Sequence, residues 1–159
     1  EVAIRGDSVM LGYWNRPEEN AKAMIEGGWF RTGDAGFVDS DGYLFIQDRI
    51  KDMIISGGEN IYPAQVESAI YGHPAVAEVA VIGVPDDTWG EAVKACVTAR
   101  PGMSVDESEI IAWTRERLAG FKVPKSVDVI ALMPRNASGK ILRRELRAPY
   151  WQGRDRQVN

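Results

Sequence analysis

Apolar residues in this chain come first in short bursts and then, past Asp52, in longer runs and helical stripes. Val2-Ala3-Ile4-Arg5-Gly6, Trp29–Thr32, Ala35–Val38 and Tyr43–Ile46 are the early bursts, separated by Gly27-Gly28, Gly33-Asp34 and Asp39-Ser40-Asp41-Gly42. Such spacing predicts short strands, with the last two paired antiparallel across the Asp-Gly turn. Between them Pro17 opens a helix over Glu18–Ile25, since its missing N–H is not needed in a first turn, and Gly27-Gly28 stops it. Strands this short would expose unpaired edges if they stood alone.

Beyond the boundary the texture changes. Met53–Ser56 turns back through Gly57-Gly58 into Asn60–Tyr62 as a hairpin. Pro63–Tyr71 places Val66, Ala69 and Ile70 on one face and ends at Gly72, a short amphipathic helix. Val76–Ile82 and Ala92–Ala99 are β-branched runs flanking the turn-rich Gly83–Asp87. Ser104-Val105-Asp106-Glu107 reads as a capping box. The helix that it opens carries Ile110, Ile111, Thr114 and Leu118 in one stripe. Val127–Leu132 predicts a third strand. The expected fold class is α/β (α+β): a small domain with a short central sheet flanked by helices, preceded by antiparallel strands. The predicted division is residues 1–47, a connection over 48–52, and 53–159.

Composition narrows the chemistry. A net charge of −4 gives no reason to expect nucleic-acid binding. No stretch approaches the ~20 apolar residues of a transmembrane segment, and no signal peptide is visible. The single cysteine, Cys96, rules out an internal disulfide framework and fits a reducing, cytoplasmic compartment. Its apolar neighbours predict a buried, inert thiol. The single histidine, His73, precedes Pro74 at a helix end, so neither a zinc site nor a Ser-His-Asp triad is expected. The first residues already read as a strand, without an initiator Met, as expected of a piece of a longer protein.

Three motifs remain: Gly28-Trp29-Phe30-Arg31-Thr32-Gly33-Asp34, the stretch Asp48–Glu67 with Ser56-Gly57-Gly58-Glu59-Asn60 inside it, and Pro134-Arg135-Asn136-Ala137-Ser138-Gly139-Lys140. Singly, each has a plain reading as a turn. The last is not a Walker loop, because Pro134 stands where its first glycine belongs and Ile141 where Ser or Thr should follow. Together and in this order, they resemble the carboxyl-terminal part of the AMP-forming acyl-CoA synthetases, the adenylate-forming superfamily, over nearly the whole chain.

That resemblance implies roles residue by residue. Asp34 and Arg49 match the positions that hold the ribose of ATP, although a turn aspartate and a surface arginine remain plain alternatives. Lys51 matches the hinge about which a C-terminal mobile domain (53–159) turns against an N-terminal adenylation domain, of which 1–47 would be the last strands. Lys140 matches the catalytic lysine. Such a charge suits a reaction in which a carboxylate meets the α-phosphate of ATP and negative charge grows on phosphoryl oxygens. Gly57 and Gly58 match the wall of the pantetheine tunnel. Trp89, Phe121 and Lys125 fall where related ligases contact coenzyme A, with core packing as the plain reading for Phe121. Val123 stands where some relatives have an arginine, which weakens the expected CoA-phosphate contact. Arg143, Arg144 and Arg147 read as a solvated helix face without a role.

The expected function is that of an acid–CoA ligase of the bacterial fatty-acid or aryl-acid type, using ATP, Mg2+ and coenzyme A. Its expected partners are its own N-terminal domain and a carboxylic acid. The isolated piece is expected to be inactive. Two alternatives stand beside it: an adenylation domain loading a carrier-protein thiol, disfavoured because no carrier segment follows before Asn159, and a non-catalytic module on the same fold.

Overall fold

The computed structural model describes residues 1–154, in two compact units, Glu1–Lys51 and a second beginning at Asp52. In the first unit β1 (Ala3–Ile4) and β2 (Met24–Ile25) both pair antiparallel with β3 (Trp29–Arg31), while β4 (Asp34–Val38) pairs with β5 (Leu44–Arg49). Helix α1 (Pro17–Ala23) ends two residues earlier than the sequence predicts, because Met24 and Ile25 are claimed by pairing with Phe30 and Trp29. Among its described residues the unit buries one apolar side chain, Ala35. Phe37, Tyr43, Leu44, Phe45 and Ile46 stay exposed, with Phe37 stacked on Phe45.

The second unit is organised around a five-stranded sheet of β6 (Ile54–Ser56), β7 (Glu59–Ile61), β8 (Val76–Asp86), β9 (Gly90–Ala99) and β10 (Ser126–Val129). Strand β9 pairs antiparallel with β8 along its length, parallel with β10 over Lys94–Val97, and meets β6 at Ser56–Gly90. Helices α2 (Pro63–Tyr71) and α3 (Glu107–Arg115) cover one face, where Val66, Ile70 and Ile110 pack with Val79, Val81, Val93 and Val97. On the other face Ala80, Ile82, Cys96 and Met133 form a second cluster, closed by Ile130, Ile141 and Leu146. Two covered faces explain why β8 and β9 read as unbroken apolar runs rather than alternating ones. This is the small α/β domain that the pattern predicts.

Three local expectations are corrected. Strand β8 continues through Gly83 and Pro85, which the sequence marks as turn. A Cβ at Gly83 would lie 2.4 Å from the Glu91 carboxylate, so a larger residue there would displace that buried side chain. The cap of α3 is Asp106 rather than Ser104. Its carboxylate accepts from the Ser108 and Glu109 amides, and Glu107 instead accepts from the Val127 amide at 2.8 Å, tying α3 to β10. The third strand stops at Val129. Among the described residues no helix is long and apolar enough to cross a membrane.

Cys96 is buried, and burial, followed by the nearby Asp128 charge, pushes its thiol up to about 11, so it is unreactive at neutral pH. His73 is a turn residue whose Nδ1 accepts from the Ala75 amide and whose ring meets Trp113 edge-on.

Candidate functional site

In the first unit, Gly33 at φ +76 turns the chain into β4, and Asp34 then stands directly opposite Arg49 of β5. Arg49 Nε lies 2.8 Å from Asp34 Oδ1, with both side chains partly exposed. A carboxylate has about four lone-pair sites, so this pair retains acceptor capacity for hydroxyl donors. Lys51 lies in the short 3-10 turn Ile50–Asp52 and is the last residue of the unit.

The second unit holds a cleft of about 200 Å3 lined by Ser56, Gly57, Glu59, Trp89, Gly120, Phe121 and Lys125. Four of the five residues expected to contact coenzyme A therefore meet in one place. The β6–β7 turn is made by Gly57 at φ +59 and Gly58 at φ +83, the left-handed pair that a two-residue hairpin requires. A Cβ on Gly57 would lie 2.7 Å from Trp89 Cε3, so the indole lies against bare backbone. The same pair is stitched by Gly57 N–H donating to Trp89 O at 2.9 Å. Asp86 Oδ1 accepts from the amides of Thr88 and Trp89, which fixes the turn that presents the indole. Gly58 lacks any such neighbour: a Cβ there would meet nothing within 4 Å.

Phe121 is 41% exposed, so its core-packing reading is overturned. It sits on the short turn Gly120–Lys122, held to α2 by Lys122 Nζ donating to Gln65 Oε1 at 2.8 Å. Val123 is in the core and out of the cleft. Two rings give the cleft an apolar wall, with Lys125 and Glu59 as its charged lining residues, a surface suited to a flat heterocycle or thin chain.

Lys140 is exposed at the end of a loop that Asn136 organises. The Asn136 carboxamide oxygen accepts from Ser138 N, Ser138 Oγ and Lys140 N, at 3.1, 2.8 and 2.8 Å. Gly139 at φ +83 closes the turn, and Leu142 N–H donates to Pro134 O at 2.8 Å below it. Sequence reasoning assigned Asn136 nothing, although Asn-Ala-Ser-Gly is a recognisable side-chain-to-backbone turn.

The basic stretch after Lys140 is the larger correction. Arg143 and Arg147, expected on a solvated face, are largely withdrawn from solvent on α4 (Arg143–Arg147). Arg143 Nη2 lies 2.8 and 2.7 Å from the two Glu67 oxygens, and Arg147 Nη2 lies 3.2 Å from Asp52 Oδ1. Among the described residues no three His, Cys, Asp or Glu side chains gather as a metal site.

Comparison with known proteins gives this geometry its relatives. Residues 65–140 match the family model of the AMP-binding enzyme C-terminal domain. The chain is 54% identical over 150 residues to a feruloyl-CoA synthase of an Amycolatopsis species, across 94% of this chain and 30% of that protein. It is 48% identical over its full length to a fatty acid–[acyl-carrier-protein] ligase of Streptomyces coeruleorubidus, again 30% of that protein. Among solved structures, the o-succinylbenzoate CoA synthetase of Bacillus subtilis, in complex with its acyl-adenylate intermediate, matches with a TM-score of 0.85 at 44% identity. That match covers 91% of this chain and 29% of the other. The chain thus spans about 30% of the length of the relatives it matches. On its fold, its motifs and these matches, the chain carries an AMP-binding enzyme C-terminal domain over residues 65–140 and matches the C-terminal part of adenylate-forming enzymes.

Proposed function

We propose that this chain works within an AMP-forming acid–CoA ligase, activating a carboxylic acid, with fatty acids favoured, and passing the acyl group to coenzyme A. The observation that carries the reading is the single cleft formed by Gly57, Trp89, Phe121 and Lys125, on a domain that also carries Lys140 on a separate loop. In the first step a carboxylate oxygen attacks the α-phosphorus of ATP and pyrophosphate leaves. Lys140 offsets the repulsion between the approaching anions. Asp34 and Arg49 orient the ribose. In the second step the CoA sulfur attacks the acyl carbon and AMP leaves. Gly57 gives the pantetheine arm a bare backbone wall, the Trp89 and Phe121 rings flank it, and Lys125 meets phosphate.

In this reading residues 1–47 end the N-terminal adenylation domain, 48–52 are the hinge with Lys51 as pivot, and 53–159 are the mobile domain. Magnesium would accompany the nucleotide, but the described residues provide no cluster to hold it, and no step is routed through it. The compartment is the cytoplasm. By itself the chain binds ATP weakly and turns nothing over, because none of the motifs among the described residues cradles the β- and γ-phosphates.

A second acceptor is a carrier-protein thiol, favoured by the relative named as a carrier-protein ligase. The test is to incubate the natural full-length protein with mixed acids, ATP and either CoA or a carrier protein. Mass spectrometry then reads the products. Acyl-CoA with AMP is expected; acylated carrier protein alone would replace the acceptor, and no AMP with any acid would sink the ligase reading.

A further inference from the structure

We propose that Asp52, Arg143 and Arg147 form an ionic clamp that positions the Lys140 loop relative to the residue following Lys51. The proposal rests on the roles given to Lys51 and Lys140 above. Asp52 is the first residue of the second unit, and its carboxylate is buried, the residue being 8% exposed. Arg147 Nη2 lies 3.2 Å from its Oδ1 and Arg143 Nη1 lies 3.8 Å from its Oδ2. Arg143 spends its fork on Glu67 of α2, whose Oε1 also accepts from the Val81 amide at 2.8 Å. Asp52, Glu67, Arg143 and Arg147 thus join the start of the unit, α2, β8 and α4 in one ionic network.

The clamp is one of several ties on that end of the chain: Tyr150 donates to Asp128, Trp151 Nε1 donates to Gly83 O at 2.9 Å, and Arg135 pairs with Glu78 and donates to Gly139 O. What it adds is a link from α4 to Asp52. Helix α4 has five residues, no side-chain cap and no buried residue, and a helix so short has no stability of its own. Ile141 and Leu146 are only partly buried against the second core cluster. Upstream, Leu142 N–H donates to Pro134 O, and Asn136 and Lys140 exchange backbone and side-chain bonds, so residues 134–142 form one closed stem. Its downstream strand runs directly into Arg143. Fixing Arg143 and Arg147 fixes the stem, and a turn of the backbone at Lys51 carries Asp52 and the stem together. Breaking the network leaves an uncompensated charge in a poorly hydrated place. The fork of Arg143 on Glu67 has no lysine equivalent, whereas a lysine at position 147 keeps a charge that can reach Asp52.

The test has two arms. Hydrogen exchange on this chain compares Asp52→Asn, Arg147→Gln and Arg147→Lys with the parent. The first two should speed exchange at Asn136, Gly139 and Leu142 roughly 10-fold or more, as loss of a charged hydrogen bond predicts. Arg147→Lys should stay near the parent, and amides of β8 and β9 should be unchanged in all three. Faster exchange in β8 and β9 to the same degree, or no change at the loop, overturns the clamp. In the full-length protein, pyrophosphate exchange by Asp52→Asn should fall roughly 10- to 100-fold in kcat, the scale of a slight misplacement. KM for ATP and the conversion of supplied acyl-adenylate to thioester should be unchanged. Equal losses in both half-reactions would mean general destabilisation and overturn the positioning role. Lys140→Ala, run alongside, separates the two ideas: if it leaves pyrophosphate exchange intact, the reading of Lys140 fails, while the exchange arm still decides the clamp.

Discussion

Arg49 faces Asp34 across the β4–β5 ladder, its Nε 2.8 Å from Asp34 Oδ1. The turn at Asp39–Gly42 brings them opposite each other: Asp39 Oδ1 accepts from the amides of Asp41 and Tyr43, and β5 folds back on β4. Both side chains are partly exposed, so the pair contributes only about 0–1 kcal/mol to stability. Its consequence is orientation: the guanidinium holds the carboxylate in one rotamer. Asp34→Asn keeps the shape and removes the charge. In the full-length protein it should raise KM for ATP roughly 10- to 100-fold, the equivalent of losing ~1.5–3 kcal/mol from a charged hydrogen bond. Steady-state kinetics beside a thermal melt checks both halves, and an unchanged KM would remove Asp34 from the ribose site.

The β6–β7 turn separates two glycines that turn chemistry treats alike. A two-residue hairpin of this kind accepts Asn readily at its first position, where Gly57 has φ +59. The Trp89 ring forbids it, since a Cβ would lie 2.7 Å from Cε3. Gly57→Asn should therefore displace the indole and slow CoA-dependent consumption of acyl-adenylate at least ~10-fold, a cost of about 1.4 kcal/mol. Gly58→Asn, whose Cβ meets nothing within 4 Å, should leave the indole in place, so any loss of that activity would come from a side chain in the pantetheine path. Tryptophan fluorescence should shift in the first variant only. Tolerance of Asn at 57 would show that Trp89 moves aside freely.

Lys140 is exposed, and its loop is held by backbone atoms and Asn136 rather than by its ammonium. Lys140→Ala should leave the melting temperature within the scatter of surface substitutions, ~0.5 kcal/mol. Acyl-adenylate formation should drop about 10²- to 10³-fold, the scale of losing one transition-state charge contact. Thioester formation from supplied acyl-adenylate should survive. Asn136→Ala should reproduce part of the loss by loosening the turn, and rescue by Asn136→Asp would point to the accepting oxygen as the cause.

Stability should fall at alkaline pH for reasons lodged in the second unit. Tyr150 donates to Asp128, and that hydrogen bond, followed by burial, pushes its phenol from 10.0 up to about 12. Burial pushes Cys96 from 9.0 to about 11. Both groups are neutral in the fold and lose their protons more readily once the chain unfolds. Their contribution is complete below about pH 9 and is lost as pH climbs through 11 to 12. Denaturant midpoints should decline over that interval, and Tyr150→Phe should flatten its upper part. A parent curve that is level to pH 12 would contradict the placement of Tyr150 against Asp128.

Local chemistry was enough to set several elements from the sequence. The start of α2 at Pro63 follows from a proline that needs no N–H, and the β6–β7 turn follows from two glycines at positive φ. The three motifs were likewise legible, since each is a contiguous run, and so was the family. What stayed hidden depends on residues far apart in the chain. Arg143 and Glu67 are 76 positions apart, and nothing in Arg-Arg-Glu-Leu-Arg says that two of its arginines are withdrawn from water. Similarly, Phe121 reads as core by composition but is left at the rim of a cleft by the turn Gly120–Lys122. Periodicity reports which face of an element is apolar, and turn chemistry reports where it bends. Whether a charge is buried depends on the distant side chain that compensates it, and that pairing exists only once the sheet has brought Asp52, α2 and α4 together.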